Sequence, residues 1–300
     1  MERWIHVPFV QTTARLASLL SRASIEVTAR DAAIAQDLQR DFARGIDVHV
    51  TFLPDDDYRR VEETCGRLRE AGFNPVPHLT ARNFVSRDAF DAHLGRLADR
   101  AGVTRVLVIA GDVDRPRGPF ATSLDLFETN LLRKHGIVSV LLAGHPEGHP
   151  AVSHETMSAA LADKIAFAHA AGLDVQIVTQ FGFDATAILN WLVRIRGLGI
   201  DAPVRIGVAG PASTASLVKF AVRCGVGNSI RALQTRGATL GKLMGETRPD
   251  ALLQALVAGW VDARVGVISG IHLYMFGGSA RTAKWLSTFI ADLEKCGGSS

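Results

Sequence analysis

Cysteine is scarce in this chain: Cys65, Cys224 and Cys296 are the three in 300 residues, with no Cys-x-x-Cys pair and no Cys/His cluster. That spacing excludes a disulfide framework and a structural zinc site, and it points to a reducing, cytoplasmic setting. Long apolar runs are also missing. None approaches the roughly 18 residues of a membrane span, and the first 20 residues, interrupted by Arg3, His6, Gln11 and Arg15, lack the apolar core of a signal peptide. Neither charge dominates: 33 Lys and Arg face 30 Asp and Glu, a net +3 with no dense basic run, which removes the footprint of a nucleic-acid binder. With 11 prolines and no Gly-, Ser- or Pro-rich linker, one domain is expected over 1–296, followed by Gly297-Gly298-Ser299-Ser300 as a flexible tail. What remains is a globular composition, 47% hydrophobic and 21% charged, able to bury a sizeable core.

What is present is an alternation of strand and helix signals. Short β-rich runs occur at Ser24–Thr28, Asp47–Phe52, Pro75–Leu79, Arg105–Ala110, Ile137–Leu142, Val175–Gln180, Val204–Val208 and Gly270–Tyr274. Their starts lie about 23 to 38 residues apart, the length of a strand plus a return helix, until an interval of about 66 before the last, which must hold extra helix. Ser86 is placed to cap a helix carrying Phe90, Leu94 and Leu97 on one face and ending at Gly102; Ser123 is placed to cap another ending at Gly136. Runs such as Val106-Leu107-Val108-Ile109 are apolar on both faces, as strands covered by helices must be. Eight such units favour a closed TIM (β/α)8 barrel over an open doubly wound sheet. Trp191, Trp260 and Trp285 fall in expected helices and read as core.

Barrel enzymes place their chemistry at the C-terminal ends of the strands, and unusual polar residues collect there. Glu26 lies on the first strand, Thr51 ends the second, His78-Leu79-Thr80 the third and Gly111-Asp112 the fourth; His145 and His149 follow the fifth, Thr179-Gln180-Phe181 ends the sixth, and His272 and Tyr274 lie on the last. A carboxyl inside an apolar barrel mouth is raised towards neutrality and suits a general acid or base; Glu26 is therefore either that group or a carboxylate paired with an Arg or Lys. Asp112, after a glycine that permits close backbone approach, is a ligand contact or a turn aspartate. His145, His149 and His154 suggest zinc, but Pro146-Glu147-Gly148 prevents a helical i,i+4 face, so a cofactor-binding loop without metal is the better reading. Gly207-Val208-Ala209-Gly210 and Gly277-Gly278 match neither GxGxxG nor a P-loop and read as turns.

Taken in order, the set of strand-end signatures resembles the methylenetetrahydrofolate reductase family, in its bacterial form limited to the catalytic barrel. The resemblance spans nearly the whole chain. It rests on Glu26, His78-Leu79-Thr80, Gly111-Asp112, Pro146-Glu147-Gly148-His149-Pro150, Thr179-Gln180-Phe181-Gly182-Phe183-Asp184 and Ile271-His272-Leu273-Tyr274, with the Pro-Glu-x-His-Pro and Thr-Gln-Phe-x-Phe-Asp strings the most specific. It implies a flavoprotein of one-carbon metabolism in which reduced FAD passes a hydride to 5,10-methylenetetrahydrofolate, giving 5-methyltetrahydrofolate, and NADH or NADPH re-reduces the flavin. In the same terms Glu26 matches the general acid that opens the imidazolidine ring, Asp112 and Gln180 contact the folate, and Phe220 stacks on its tail or on the nicotinamide. Thr51, His78, Gly111, Asp112, Phe120, Ala121, His145 and His149 fall where the family lines its flavin site. Ala110 stands where the family has Arg, and a basic pair before the sixth strand is reduced here to Lys164. Two rivals keep the folate without the flavin: a reductase taking hydride directly from NAD(P)H, and a tetrahydrofolate-dependent methyltransferase or demethylase. A folate-binding protein without activity is a third, against which the acid at Glu26 argues. The expected partner is the folate, with no nucleic acid or membrane; a homo-oligomer is possible.

Overall fold

Runs that are apolar on both sides become parallel strands, and the amphipathic stretches between them become the helices that cover one face of each. The computed structural model describes residues 9–31, 33–53, 55–149, 152–226, 246–260 and 265–297. Helix α1 (Phe9–Ser21) leads into β1 (Ser24–Thr28), α2 (Ile34–Asp41), β2 (Asp47–Thr51), α3 (Tyr58–Glu70) and β3 (Asn74–Thr80). A 3-10 turn (Ala81–Asn83) precedes α4 (Arg87–Ala101), β4 (Arg105–Ile109), the short α5 (Leu124–Glu128) and α6 (Leu131–Lys134), and β5 (Ser139–Gly144). Then come α7 (His154–Ala170), β6 (Asp174–Thr179), α8 (Ala185–Gly197) and β7 (Val204–Ala209). The long last interval holds β8 (Ala212–Ser213), α9 (Thr214–Arg223), β9 (Glu246–Thr247) and α10 (Asp250–Ala258), before β10 (Ile268–Tyr274) and α11 (Ser279–Gly297). The sheet is a closed barrel of order β1-β10-β7-β6-β5-β4-β3-β2, with β8 and β9 paired apart from it. The expected (β/α)8 architecture and the extra helix before the last strand are both present.

Helix α4 forms where its punctuation places it. Ser86 caps it by accepting from the Ala89 N–H, Gly102 closes it, and Phe90, Leu94 and Leu97 are buried on one face. Each of those side chains contributes about 2 kcal/mol by leaving water. The stretch from Ser123 to Gly136 departs from expectation. Asn130 takes a left-handed conformation (φ 60°) and divides it into α5 and α6, and Ser123 makes no side-chain cap. Asp125, inside α5, instead ties down the loop before the helix by accepting from the Ala121 and Thr122 N–H groups at 2.6 and 3.0 Å. The fifth strand starts at Ser139 rather than Ile137, because the Ile137 N–H closes the preceding helix on the Leu132 carbonyl at 3.1 Å. Trp191 and Trp285 are buried helical residues as expected, whereas Trp260 is buried just past α10, its indole N–H on the Gly266 carbonyl and the Arg15 guanidinium 4.4 Å above its ring.

The chain divides into two compact units. One, Ser24–Gly144 with Glu155–Val178, carries β1 to β5 and nearly all of β6; the other, Met1–Ala23, His145–His154 and Thr179–Ser300, carries β7 to β10. In the first, Val76, Leu107, Leu141 and Val178, one from each of the neighbouring strands β3 to β6, pack together as an interior layer. Between α3 and α4 lies a buried polar knot: Glu62 Oε1 is 2.6 Å from His93 Nδ1 and its Oε2 accepts from Arg96 Nε at 2.7 Å. Burial pushes the Glu62 carboxyl up, but the hydrogen bonds from His93 and Arg96 outweigh it and hold the group below its ordinary range. Burial in turn pushes the His93 imidazole down. Cys65, one turn from Glu62 on α3, is buried and its thiol is pushed well up by burial; Cys224 and Cys296 are exposed.

Candidate functional site

The residues named from the sequence fall in both units. Glu26, Thr51, His78, Gly111, Asp112, Phe120, Ala121 and Lys164 belong to one, and His145, His149, Gln180 and Phe220 to the other.

In the first unit the parallel register settles which side chains share a face. Glu26 on β1 is opposite His49 on β2, and His49 is opposite Val76 on β3, a member of the interior layer. Since neighbours in register point the same way, Glu26 and His49 turn inward, and His78, two residues after Val76, does so as well. Glu26 Oε2 lies 3.8 Å from His78 Nε2, with the carboxyl 20% and the imidazole 8% exposed. An imidazole therefore stands close to Glu26, a neighbour that the sequence did not suggest. His49 is fully buried, its ring edge-on to His78 at 5.8 Å between centroids. Nothing in the sequence reading picked out His49, although its place between two valines in Asp47–Thr51 is the mark of a polar side chain on the inner face.

Around this group the strand ends are braced. The Thr51 hydroxyl donates to the Val27 carbonyl at 3.1 Å, and the Tyr58 hydroxyl donates to the Thr80 carbonyl at 3.1 Å. Gly111 has φ +94°, a conformation that favours glycine, and turns the chain so that Asp112 is exposed. Phe120 is buried edge-on to Phe84 and Phe90, at 6.5 and 5.9 Å, while Ala121 lies on the surface beside it with its N–H on Asp125. Lys164 on α7 is half-buried; burial pulls its amine below the ordinary lysine range, and no carboxylate pairs with it among the described residues. Arg82 and Asn83, on the 3-10 turn after β3, were also missed, since they lie past the recognisable His-Leu-Thr string.

The second unit is aromatic where the first is polar. Phe181 packs edge-on against Phe183, Tyr274 and Phe276 at 5.8, 5.3 and 4.9 Å, and Phe276 stacks face to face on Phe220 at 4.1 Å and 13°. Tyr274 is edge-on to the buried His272 at 4.9 Å and donates its hydroxyl to the Thr179 carbonyl at 3.1 Å. Thr179 in turn accepts from the Gly207 N–H at 2.8 Å, so the ends of β6, β7 and β10 are tied by one threonine. Gln180 is half-buried, its Oε1 accepting from the neighbouring Phe181 N–H at 3.0 Å. The two longest motifs meet here: Glu147 Oε1 accepts from the Phe183 N–H at 3.2 Å and lies 2.8 Å from where a Cβ on Gly182 would stand. A turn in which the Gly148 N–H meets the His145 carbonyl brings the His145 and His149 rings to 6.0 Å, so a loop achieves the approach that the missing helix does not. Pro150 lies outside the described residues. No group of three His, Cys, Asp or Glu side chains able to hold a metal occurs among the described residues, and none of their helices is long and apolar enough to cross a membrane.

Among solved structures the chain is similar to the dihydropteroate synthase of Thermus thermophilus, with 17% identity, 91% of this chain and 95% of that one covered, and a TM-score of 0.45. Residues 38–230 match the family model described as methylenetetrahydrofolate reductase.

Proposed function

The chain belongs to the methylenetetrahydrofolate reductase family, an oxidoreductase family of folate metabolism, and from that premise we propose that it reduces 5,10-methylenetetrahydrofolate to 5-methyltetrahydrofolate with FAD as cofactor and NADH or NADPH as electron donor. The observation that carries this reading is the carboxyl of Glu26 held 3.8 Å from the His78 imidazole on the interior face of the strands. Pure binding gives no reason to place an acid there; opening an imidazolidine ring does, because the departing nitrogen must take a proton.

Glu26 Oε2 delivers the proton to the folate, and His78 orients that carboxyl from β3, across the intervening β2. Asp112 and Gln180 bind the pterin, and Phe220 gives its tail a flat apolar contact. FAD, when bound, supplies the hydride chemistry that no side chain possesses. Lys164 supports the cofactor assignment: an amine kept partly from water without a carboxylate is the partner a diphosphate requires. Thr51, His78, Gly111, Asp112, Phe120, Ala121, His145 and His149 complete the proposed flavin site.

An absorbance spectrum of the purified protein over roughly 300 to 550 nm, followed by NADH and then methylenetetrahydrofolate, tests the proposal. A yellow protein that bleaches with NADH and recovers its colour with the folate supports it. A colourless protein that takes up no FAD rejects the cofactor; folate-dependent NAD(P)H consumption would then select direct hydride transfer, and its absence would select methyl transfer.

A further inference from the structure

The amide nitrogen of Asn83 is left unmet in a place where burial makes that expensive. Asn83 ends the 3-10 turn after β3, is 5% exposed, and its Nδ2 is buried with no hydrogen-bond acceptor among the described residues. Leaving such a group unmet is costly, and a bound ligand can recover that cost. Its position is fixed from two sides. The Arg82 N–H donates to the Ala110 carbonyl at 2.9 Å, and the Arg117 N–H donates to the Arg82 carbonyl at 2.8 Å. The Arg82 guanidinium adds bonds to the carbonyls of Ala121 and Val113, at 2.8 and 3.3 Å. So held, the amide lies against Gly111: a Cβ there would stand 2.9 Å from Asn83 Oδ1 and 3.1 Å from Thr80 Cβ, so only glycine leaves room for it at the end of β4.

We propose that Asn83 is a ligand-binding residue whose carboxamide pairs with the lactam edge, an adjacent N–H and C=O, of a fused pyrimidine ring seated at the ends of β3 and β4. The assignment rests on the folate-reductase reading above, which supplies two rings with such an edge, the flavin and the pterin. A phosphate is disfavoured: the guanidinium of the adjacent Arg82 is engaged by the two loop carbonyls, and Asp112, next to Gly111, adds negative charge. A neutral ring that offers one donor and one acceptor matches an amide, which does the same, and asparagine reads the adenine edge in this bidentate way. Pinning by Arg82 means that little ordering remains for binding to impose.

The test titrates FAD, followed by flavin fluorescence, and tetrahydrofolate, followed by calorimetry, into the wild type, Asn83→Leu and Asn83→Ala. Leucine fills the same space without a polar atom, so its Tm should equal or exceed that of the wild type while affinity for one ring falls about tenfold. Loss for FAD alone assigns the flavin, and loss for tetrahydrofolate alone assigns the pterin. The wild type should also bind that ring less well once it is methylated at the lactam nitrogen, and the variants should not discriminate. If the wild type binds both ligands and neither variant weakens either, the proposal is overturned and the functional reading stands. If the wild type binds neither, both fall. If Asn83→Leu unfolds, Asn83→Ala decides alone, and wild-type affinity in it overturns the proposal.

Discussion

The two compact units differ in what they present at the ends of their strands. Ser24–Gly144 with Glu155–Val178 offers Glu26, His49, His78 and Asn83, all polar; the unit containing Thr179–Ser300 offers the rings of Phe181, Tyr274 and Phe276, with Phe220 of α9 stacked on the last. Both are built on the same alternation of inward and outward side chains along parallel strands, so the contrast comes from residue type alone. It teaches that one scaffold can carry polar side chains and packed aromatic rings on different strands without changing its backbone.

The contrast breaks most sharply at Glu26. Glu26→Gln removes the proton donor and should lower methylenetetrahydrofolate reduction about 10²- to 10⁴-fold, while NADH oxidation with an artificial acceptor continues; retained folate reduction would remove Glu26 from the mechanism. The next largest effect belongs to the knot beneath the polar strand ends. Glu62→Gln leaves His93 and Arg96 without their anion and should cost about 3 kcal/mol in urea unfolding at pH 7. Because the folded carboxyl sits below its unfolded range, this stabilisation is complete above the ordinary value of about 4.3 and is lost as pH falls through the lower folded value. The gap between wild type and variant should therefore close in acid, and a constant gap from pH 7 to 3 would contradict the assignment. On the aromatic side, Phe276→Ala removes the ring stacked on Phe220 and should raise KM for the folate about fivefold with kcat nearly unchanged, as one ring pair is worth about 1 kcal/mol; a fall in kcat alone would show that these rings serve the chemical step. Smallest is Asp112→Asn: its carboxylate is exposed, so a change of about threefold in folate affinity, together with a small shift of flavin potential, is expected. No change in either would make the Gly-Asp match a coincidence.

How much of this was legible follows from how local each signal is. The run Ser24–Thr28 was read to the residue, and α4 was found with its cap, its buried face and its closing glycine, because apolar period and capping chemistry act over a few positions. The division at Asn130 was not, since a left-handed asparagine within an otherwise helical run leaves no period to detect. Glu26 and His78 stood out as polar residues among apolar ones, but their 3.8 Å approach depends on strand register, which one sequence does not display. His49 was recoverable from alternation. Asn83 and Phe276 lie just beyond motifs, where identity is set by contacts with other strand ends and not by neighbours in the chain.

The buried thiol of Cys65 has a practical consequence. A maleimide or disulfide reagent should modify the exposed Cys224 and Cys296 in a fast phase, whereas Cys65 can react only in molecules whose α3–α4 layer has opened. The chain thus carries its own stopwatch for that opening: the slow phase of labelling times the polar knot, with no dye or added residue, and Glu62→Gln should make it run faster.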